Sequence, residues 1–110
     1  MLELNKKNFE ELVLQSDKVT FVDYWSDGCE ACKELMPGVH ELADKYGDKM
    51  QFASLNIKGA RRLAISQKVM GLPAMIIYKD GEILDRMSPE DIDEEIDNIE
   101  EFIKKTYETL

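Results

Sequence analysis

Two cysteines separated by two residues, Cys29 and Cys32, are the side chains of this sequence that are best suited to chemistry. They follow an apolar run, residues 19–25, that predicts a buried strand, and they precede a segment with helical periodicity. The pair is therefore expected where a strand leads into a helix N-terminus. Unpaired N–H groups and the helix dipole favour a negative sulfur there, so Cys29 should ionise more easily than a free thiol.

Such a pair has three possible roles: a zinc site, a static disulfide or redox exchange. A zinc site needs four ligands, and only His40 could join the cysteines as a nitrogen donor. A static disulfide does not suit a reducing compartment. Redox exchange is favoured: Cys29, nearer the helix start and less covered, should attack a disulfide, and Cys32 should resolve the mixed disulfide.

Asp23 is a carboxylate inside the predicted strand, whose neighbours are apolar on both faces. Burial without a cationic partner raises the pKa of a carboxyl group. Such a group is either a hydrogen-bonded structural residue or a base that works near neutral pH. The second interpretation is favoured, because a raised pKa suits a group that takes up a proton.

Length and charge limit the function classes. A chain of 110 residues is expected to form one domain, residues 1–110, and no apolar run reaches membrane-spanning length. The net charge of −9 argues against nucleic acid and anionic membranes as partners. No secretion signal is recognised at the start, so a cytoplasmic protein is expected. The acidic residues from Glu82 to Glu101 indicate either a solvated helix face or a patch that selects basic partners.

The order of patterns, β-α-β-α-β-α-β-β-α, predicts an α/β fold with a central mixed sheet and helices on both faces. Strands are predicted at residues 2–4, 19–25, 50–57 and 74–78, with a hairpin turn at 79–82 and a fifth strand from Ile83. Asn8 is the predicted N-cap of the first helix, Gly47 the left-handed terminator of the second, and Ser88 the N-cap of the last. A short helix is predicted at 60–68.

Several motifs together resemble the thioredoxin family over nearly the whole chain. They are Asp23-Tyr24-Trp25, Cys29-x-x-Cys32-Lys33, Pro37 inside the helix, Leu55-Asn56-Ile57, Gly71-Leu72-Pro73 and residues 78–82. The dithiol variant is similar to those of thioredoxins from anaerobic bacteria. The resemblance implies the thioredoxin fold and disulfide–dithiol exchange with protein substrates.

The same resemblance implies roles for individual residues. Asp23 would take the proton from Cys32, and Pro73 would follow a cis peptide bond that faces the dithiol. Substrate contacts would come from Trp25, Gly28, Gly71, Leu72 and Pro73. No Gly-rich phosphate loop follows any predicted strand, so no cofactor is expected, nor a metal, and an external thioredoxin reductase would have to restore the dithiol. The protein is expected to work as a monomer.

The sequence also departs from the family pattern. Gly28 stands where an aromatic residue usually precedes the first cysteine, and Glu30-Ala31 replaces the usual Gly-Pro. Ala74 follows the loop proline in place of threonine, and Ser54 replaces a lysine often found near the buried aspartate. A late-strand glycine has no counterpart near Arg86.

Two other functions fit the same residues. The fold could be a docking subunit of a larger reductase complex with an incidental dithiol, or an oxidising or isomerising member of the family. Arg61-Arg62 is interpreted as a solvated helix start, and Met70 and Met75 as core residues that could also border the substrate groove.

Overall fold

The central strand of the sheet is the apolar run that precedes the two cysteines. A computed structural model describes residues 1–92 and 95–110 and places this strand, β2, in the middle of a five-stranded sheet of order β1-β3-β2-β4-β5. The strands are β1 Leu2–Leu4, β2 Thr20–Trp25, β3 Gln51–Asn56, β4 Ala74–Lys79 and β5 Glu82–Met87. The helices are α1 Glu30–Tyr46, α2 Arg61–Ser66 and α3 Ile96–Tyr107.

The sheet is mixed, as the order of patterns predicts. β3 pairs in parallel with β1 and β2, whereas β4 runs antiparallel to β2 and β5. Side chains on one face form a core with α1 and α3, and those on the other face pack against α2 and the segment after β1. This burial on both faces explains why β2 lacks the alternation of a surface strand. The predicted α/β fold is confirmed.

The predicted hairpin turn is also confirmed. Asp80 and Gly81 have φ angles of 52° and 80°, so both central residues are left-handed. An Asp-Gly pair tolerates this conformation, which matches the twist of the strands it joins.

The first helix begins differently from the prediction. The Oδ1 atom of Asn5, not that of Asn8, accepts hydrogen bonds from backbone N–H groups that follow it. Asn8 accepts the reciprocal bond from the Asn5 N–H at 2.7 Å. The helix then widens into a π-helical segment, Glu10–Leu14, which closes with an i→i+5 bond from Gln15 to Glu10.

Gly47 is not the predicted left-handed terminator, since its φ is −73° and its ψ is −3°. A Cβ atom there would approach the carbonyl oxygen of Ala43 to about 2.5 Å. The glycine is therefore needed for a close backbone approach and not for a positive φ.

The helix start predicted at Ser88 is partly wrong. Ser88 and Asp91 do form a capping box, but it closes only a 3-10 turn, Pro89–Asp91, and Ile92 is extended. The last helix, α3, begins at Ile96, so Ile92 packs against the core from outside it. Residues 93 and 94 of the predicted helix lie outside the described part of the chain.

Candidate active site

The two cysteines lie at the N-terminus of α1, as their spacing predicts. Cys29 is the N-cap residue, and its Sγ atom accepts a hydrogen bond of 3.1 Å from the Cys32 N–H. Its own N–H donates to the Ser26 carbonyl, which closes the turn after β2. The first sulfur is therefore held where backbone N–H groups favour a thiolate.

Cys29 and Cys32 form a disulfide, with their Cα atoms 5.3 Å apart. Cys29 is half-buried, whereas Cys32 is only 2% exposed. A partner disulfide can therefore reach the first sulfur but not the second. Attack by Cys29 before Cys32 stays a prediction, which this difference in burial supports.

Asp23 lies on the α1 face of the sheet and is 2% exposed. Its register neighbours are Ser54 on β3 and Met75 on β4, neither of which is a cation. Among the described residues no hydrogen bond or ion pair reaches its carboxylate, and burial raises its pKa from 3.8 to about 7. Loss of hydration is the cause, because it penalises the charged form.

Pro73 lies at the same end of the sheet as the dithiol. The peptide bond between Leu72 and Pro73 is cis, and Pro73 is buried. Ala74, the next residue, is opposite Tyr24 in the antiparallel β2–β4 pair. The end of β2 and the start of β4 thus bring the two loops together.

The other residues predicted to contact substrate differ in their exposure. Gly28 is exposed, and a Cβ atom there would meet nothing within 4 Å, so no steric reason requires glycine. Gly71 and Leu72 are half-buried beside Pro73. Met75 is a core residue with 1% exposure, as predicted, whereas the core prediction for Met70 is wrong, because its side chain is 84% exposed.

Trp25 is half-buried and forms one wall of a cavity of about 430 Å³ against α1. Lys33, Met36, Pro37, His40 and Ser54 also line this cavity, and His40 is exposed, as expected of a surface residue. The cavity lies on the same face of the sheet as Asp23, because Trp25 and Ser54 share that face. Trp25 is thus placed as a wall and not as a reacting group.

A glutamate and a lysine lie on the first turn of α1, next to the two cysteines in the sequence. The Lys33 Nζ atom lies 3.4 Å from the Glu30 Oε1 atom, and both side chains are exposed. Their opposite charges partly cancel at the sulfur, and solvent screens what remains.

The described residues provide neither a metal centre nor a membrane-spanning helix. No cluster of three or more His, Cys, Asp or Glu that could hold a metal is found within residues 1–92 and 95–110. Over those same residues, no helix is both long enough and apolar enough to cross a bilayer.

Comparisons with known proteins agree with this geometry. The thioredoxin family model matches residues 1–105. The thioredoxin of Acetoanaerobium sticklandii is 47% identical over 105 residues, which cover 96% of this chain and 98% of that protein. The thioredoxin of Peptoclostridium acidaminophilum is 45% identical over 105 residues, covering 96% and 94%. The chain therefore belongs to the thioredoxin family of protein-disulfide oxidoreductases, and its Cys29-x-x-Cys32 pair is arranged for dithiol–disulfide exchange.

Proposed function

We propose that this protein, as one domain over residues 1–110, is a cytoplasmic electron carrier that reduces protein disulfides. The observation that carries the proposal is the half-buried Cys29 at a helix N-cap, bonded to a buried Cys32. Thioredoxin reductase is the proposed source of electrons, and the protein works as a monomer with no bound cofactor.

The proposed cycle begins with the reduced dithiol. The Cys29 thiolate attacks one sulfur of a target disulfide, forms a mixed disulfide and releases the first target thiolate. Asp23 takes the proton from the Cys32 thiol, and the Cys32 sulfur attacks Cys29. The Cys29–Cys32 bond forms, the second target thiolate leaves, and two electrons have passed to the target.

Asp23 suits the role of base because of its environment. A pKa of about 7 lets the carboxylate accept a proton near neutral pH and return it afterwards. Its position on the α1 side of the sheet supports this role, since Cys32 is buried on that helix.

Substrate contacts are proposed for the two loops at this end of the sheet. Trp25 and Gly28 border the dithiol on one side, and Gly71, Leu72 and Pro73 on the other. Because Pro73 has no N–H, it leaves the neighbouring backbone free to pair with an extended substrate segment.

The function is tested with insulin disulfides and with glutathione buffers. The reduced protein is expected to reduce insulin, and its dithiol to equilibrate below about −200 mV, as reducing members of the fold do. Trp25, the single tryptophan, reports the equilibrium by fluorescence. A potential near about −120 to −180 mV would favour the oxidising or isomerising alternative.

Glu30 is expected to tune the dithiol. A carboxylate one residue from Cys29 raises the pKa of the thiol, so Glu30→Gln should lower that pKa by a fraction of a unit. The reduced thiolate form becomes more stable, and the variant becomes a weaker reductant. Thiolate absorbance against pH, at low and high salt, measures the shift.

Glu41→Gln is the matched control, because Glu41 is exposed on the same helix but several turns away. The shift in Glu30→Gln should shrink with salt, whereas Glu41→Gln should show none. An unchanged or raised Cys29 pKa in Glu30→Gln would show that the glutamate acts in partner recognition instead.

A further inference from the structure

Positive charge is concentrated in one stretch of this acidic protein. Residues 49–79 contain no Asp or Glu, although the chain has 23 of them. The stretch contains six cationic residues: Lys49, Lys58, Arg61, Arg62, Lys68 and Lys79. It includes β3, α2, the loop of Pro73 and β4. Lys49 and Lys79 lie at the end of the sheet away from the dithiol, whereas the other four cations lie between β3 and the Pro73 loop.

An apolar cavity of about 270 Å³ lies in this stretch, between α2 and the loop before Pro73. We call it the α2 groove; its lining includes Ile57, Arg61, Ile65, Val69, Met70 and Leu72. Met70 is 84% exposed and Ile65 is 60% exposed. Two large apolar side chains are thus left in contact with water at the rim of one groove.

The α2 groove is continuous with the dithiol site. Leu72 belongs to both, because it lines the groove and directly precedes Pro73. Ile57, at the other end, donates its N–H to the carbonyl of Trp25 at 2.9 Å. A segment that leaves the dithiol along the Pro73 loop therefore enters the groove.

The groove is fixed to the sheet at the C-terminal end of α2. The Arg86 guanidinium donates to the carbonyls of Gln67 and Lys68, at 2.6 and 3.1 Å. The Tyr78 hydroxyl donates to the Gln67 Oε1 atom at 3.0 Å. The groove is thus ordered before a substrate binds, and this lowers the entropic cost of binding.

Among the described residues, Arg61 lines the α2 groove, and Lys58, Arg62 and Lys68 each adjoin a lining residue in the sequence. Lys58, Arg61, Arg62 and Lys68 are all exposed, and none of them forms an ion pair with another described residue. An unpaired cation beside an apolar groove attracts a segment that offers both an acidic and an apolar side chain.

We propose that the α2 groove binds the part of a substrate protein that flanks its disulfide, and that it selects segments with acidic and apolar side chains. The proposal rests on the proposed function and names the substrate class. Apolar side chains enter between Ile65 and Met70, and acidic ones pair with Arg61 and Arg62. The groove thereby admits acidic segments that the net negative charge of the chain would otherwise repel.

The test compares two synthetic peptides that share one internal disulfide between apolar residues and differ only in glutamate or lysine flanks. All rates are normalised to the reduction of bis(2-hydroxyethyl) disulfide, a neutral compound too small to fill the groove. The acidic peptide is expected to have a KM at least about threefold lower than the basic one. This preference should diminish at about 0.15 M salt, where screening acts within about 8 Å.

Two variants locate the preference. Arg61→Gln/Arg62→Gln should bring the two KM values close to each other, and Ile65→Gln/Met70→Gln should raise the KM of both peptides. The matched control is Lys104→Gln/Lys105→Gln, which removes the same charge from α3 on the opposite face of the sheet and should keep the preference.

The outcomes separate this proposal from the proposed function. If the wild-type protein reduces no disulfide, the function fails; if it reduces both peptides equally well, only the docking proposal is overturned. An equal loss of preference in both charge variants would also overturn it, because net charge alone would then act. Salt-sensitive dimers in sedimentation, abolished by Arg61→Gln/Arg62→Gln, would assign the groove to a second copy of the chain instead.

Discussion

Cys29→Ser is expected to abolish the reduction of protein disulfides, because a serine hydroxyl stays protonated and cannot form the mixed disulfide. Loss of a nucleophile costs several orders of magnitude in rate. Insulin reduction measures the effect, with circular dichroism as the check that the variant folds. Full turnover by this variant would instead support a docking subunit with an incidental dithiol.

Cys32→Ser should have a different outcome, although it removes the same disulfide. Cys29 can still attack, but no buried thiol can release it, so the mixed disulfide with a target should accumulate. Mass spectrometry of the reaction with a disulfide peptide detects the adduct. If the adduct formed through Cys32 in Cys29→Ser as readily, the order of attack proposed from burial would be wrong.

The second large effect concerns Asp23, whose ionisation opposes folding. A pKa of 3.8 when unfolded and about 7 when folded means that the penalty is absent below pH 3.8 and complete above pH 7. At 1.36 kcal/mol per unit this corresponds to about 4 kcal/mol. Asp23→Asn should therefore gain stability over the wild type as the pH rises from about 4 to 7, up to about that amount.

Urea unfolding of both proteins across this pH range measures the difference. Asp27→Asn, at an exposed position in the turn before Cys29, is the matched control and should change stability little. An Asp23→Asn protein less stable than the wild type at pH 9 would identify Asp23 as a hydrogen-bonding structural residue.

The same substitution should slow catalysis while it stabilises the fold. Without a base, release of the reduced target from the mixed disulfide should slow about tenfold or more near pH 7. The decay rate of the mixed disulfide, followed by stopped flow at several pH values, distinguishes the loss of a base from a structural effect. A structural effect would leave the pH dependence of this rate unchanged. Ser54→Lys adds a cation at the register position beside Asp23 and should shift the profile to lower pH.

Much of the fold follows from local patterns in the sequence. β2, α1 and the hairpin at Asp80 were predictable because each depends on its own residues: an apolar run, a helical stripe and an Asp-Gly pair. The position of the cysteines at a helix N-terminus follows from the change between the apolar run of β2 and the helical stripe of α1. The family motifs added the neighbourhood of Pro73, which local patterns alone do not place near Cys29.

The wrong predictions arose where tertiary contacts decide between local alternatives. The residues around Ser88 are typical of a helix N-cap and do cap a turn. No local pattern, however, predicts that α3 begins only at Ile96. Gly47 lies at a helix end where a Cβ atom would meet the carbonyl oxygen of Ala43. This close approach depends on the path of the backbone, which the sequence does not show. Met70 was predicted as a core residue and is 84% exposed, whereas Met75, inside β4, is buried as predicted.

The α2 groove was missed for a related reason. The sequence shows two adjacent arginines and several apolar residues but not that Ile65 and Met70 lie on one rim. The absence of acidic residues between Lys49 and Lys79 was the available signal. The net charge of the whole chain, −9, does not reveal this uneven distribution of acidic residues.

The pairing of β2 with β4 has a consequence for how the protein becomes active during folding. Cys29 follows β2 and Pro73 precedes β4, so contacts between residues about fifty positions apart must form before the two loops meet. Contacts of such separation form slowly, because loop closure costs entropy before they contribute energy. A chain that has formed α1 and the β2–β3 pair alone therefore holds a dithiol without a substrate groove. Regain of disulfide reductase activity should consequently lag behind regain of helical circular dichroism during refolding.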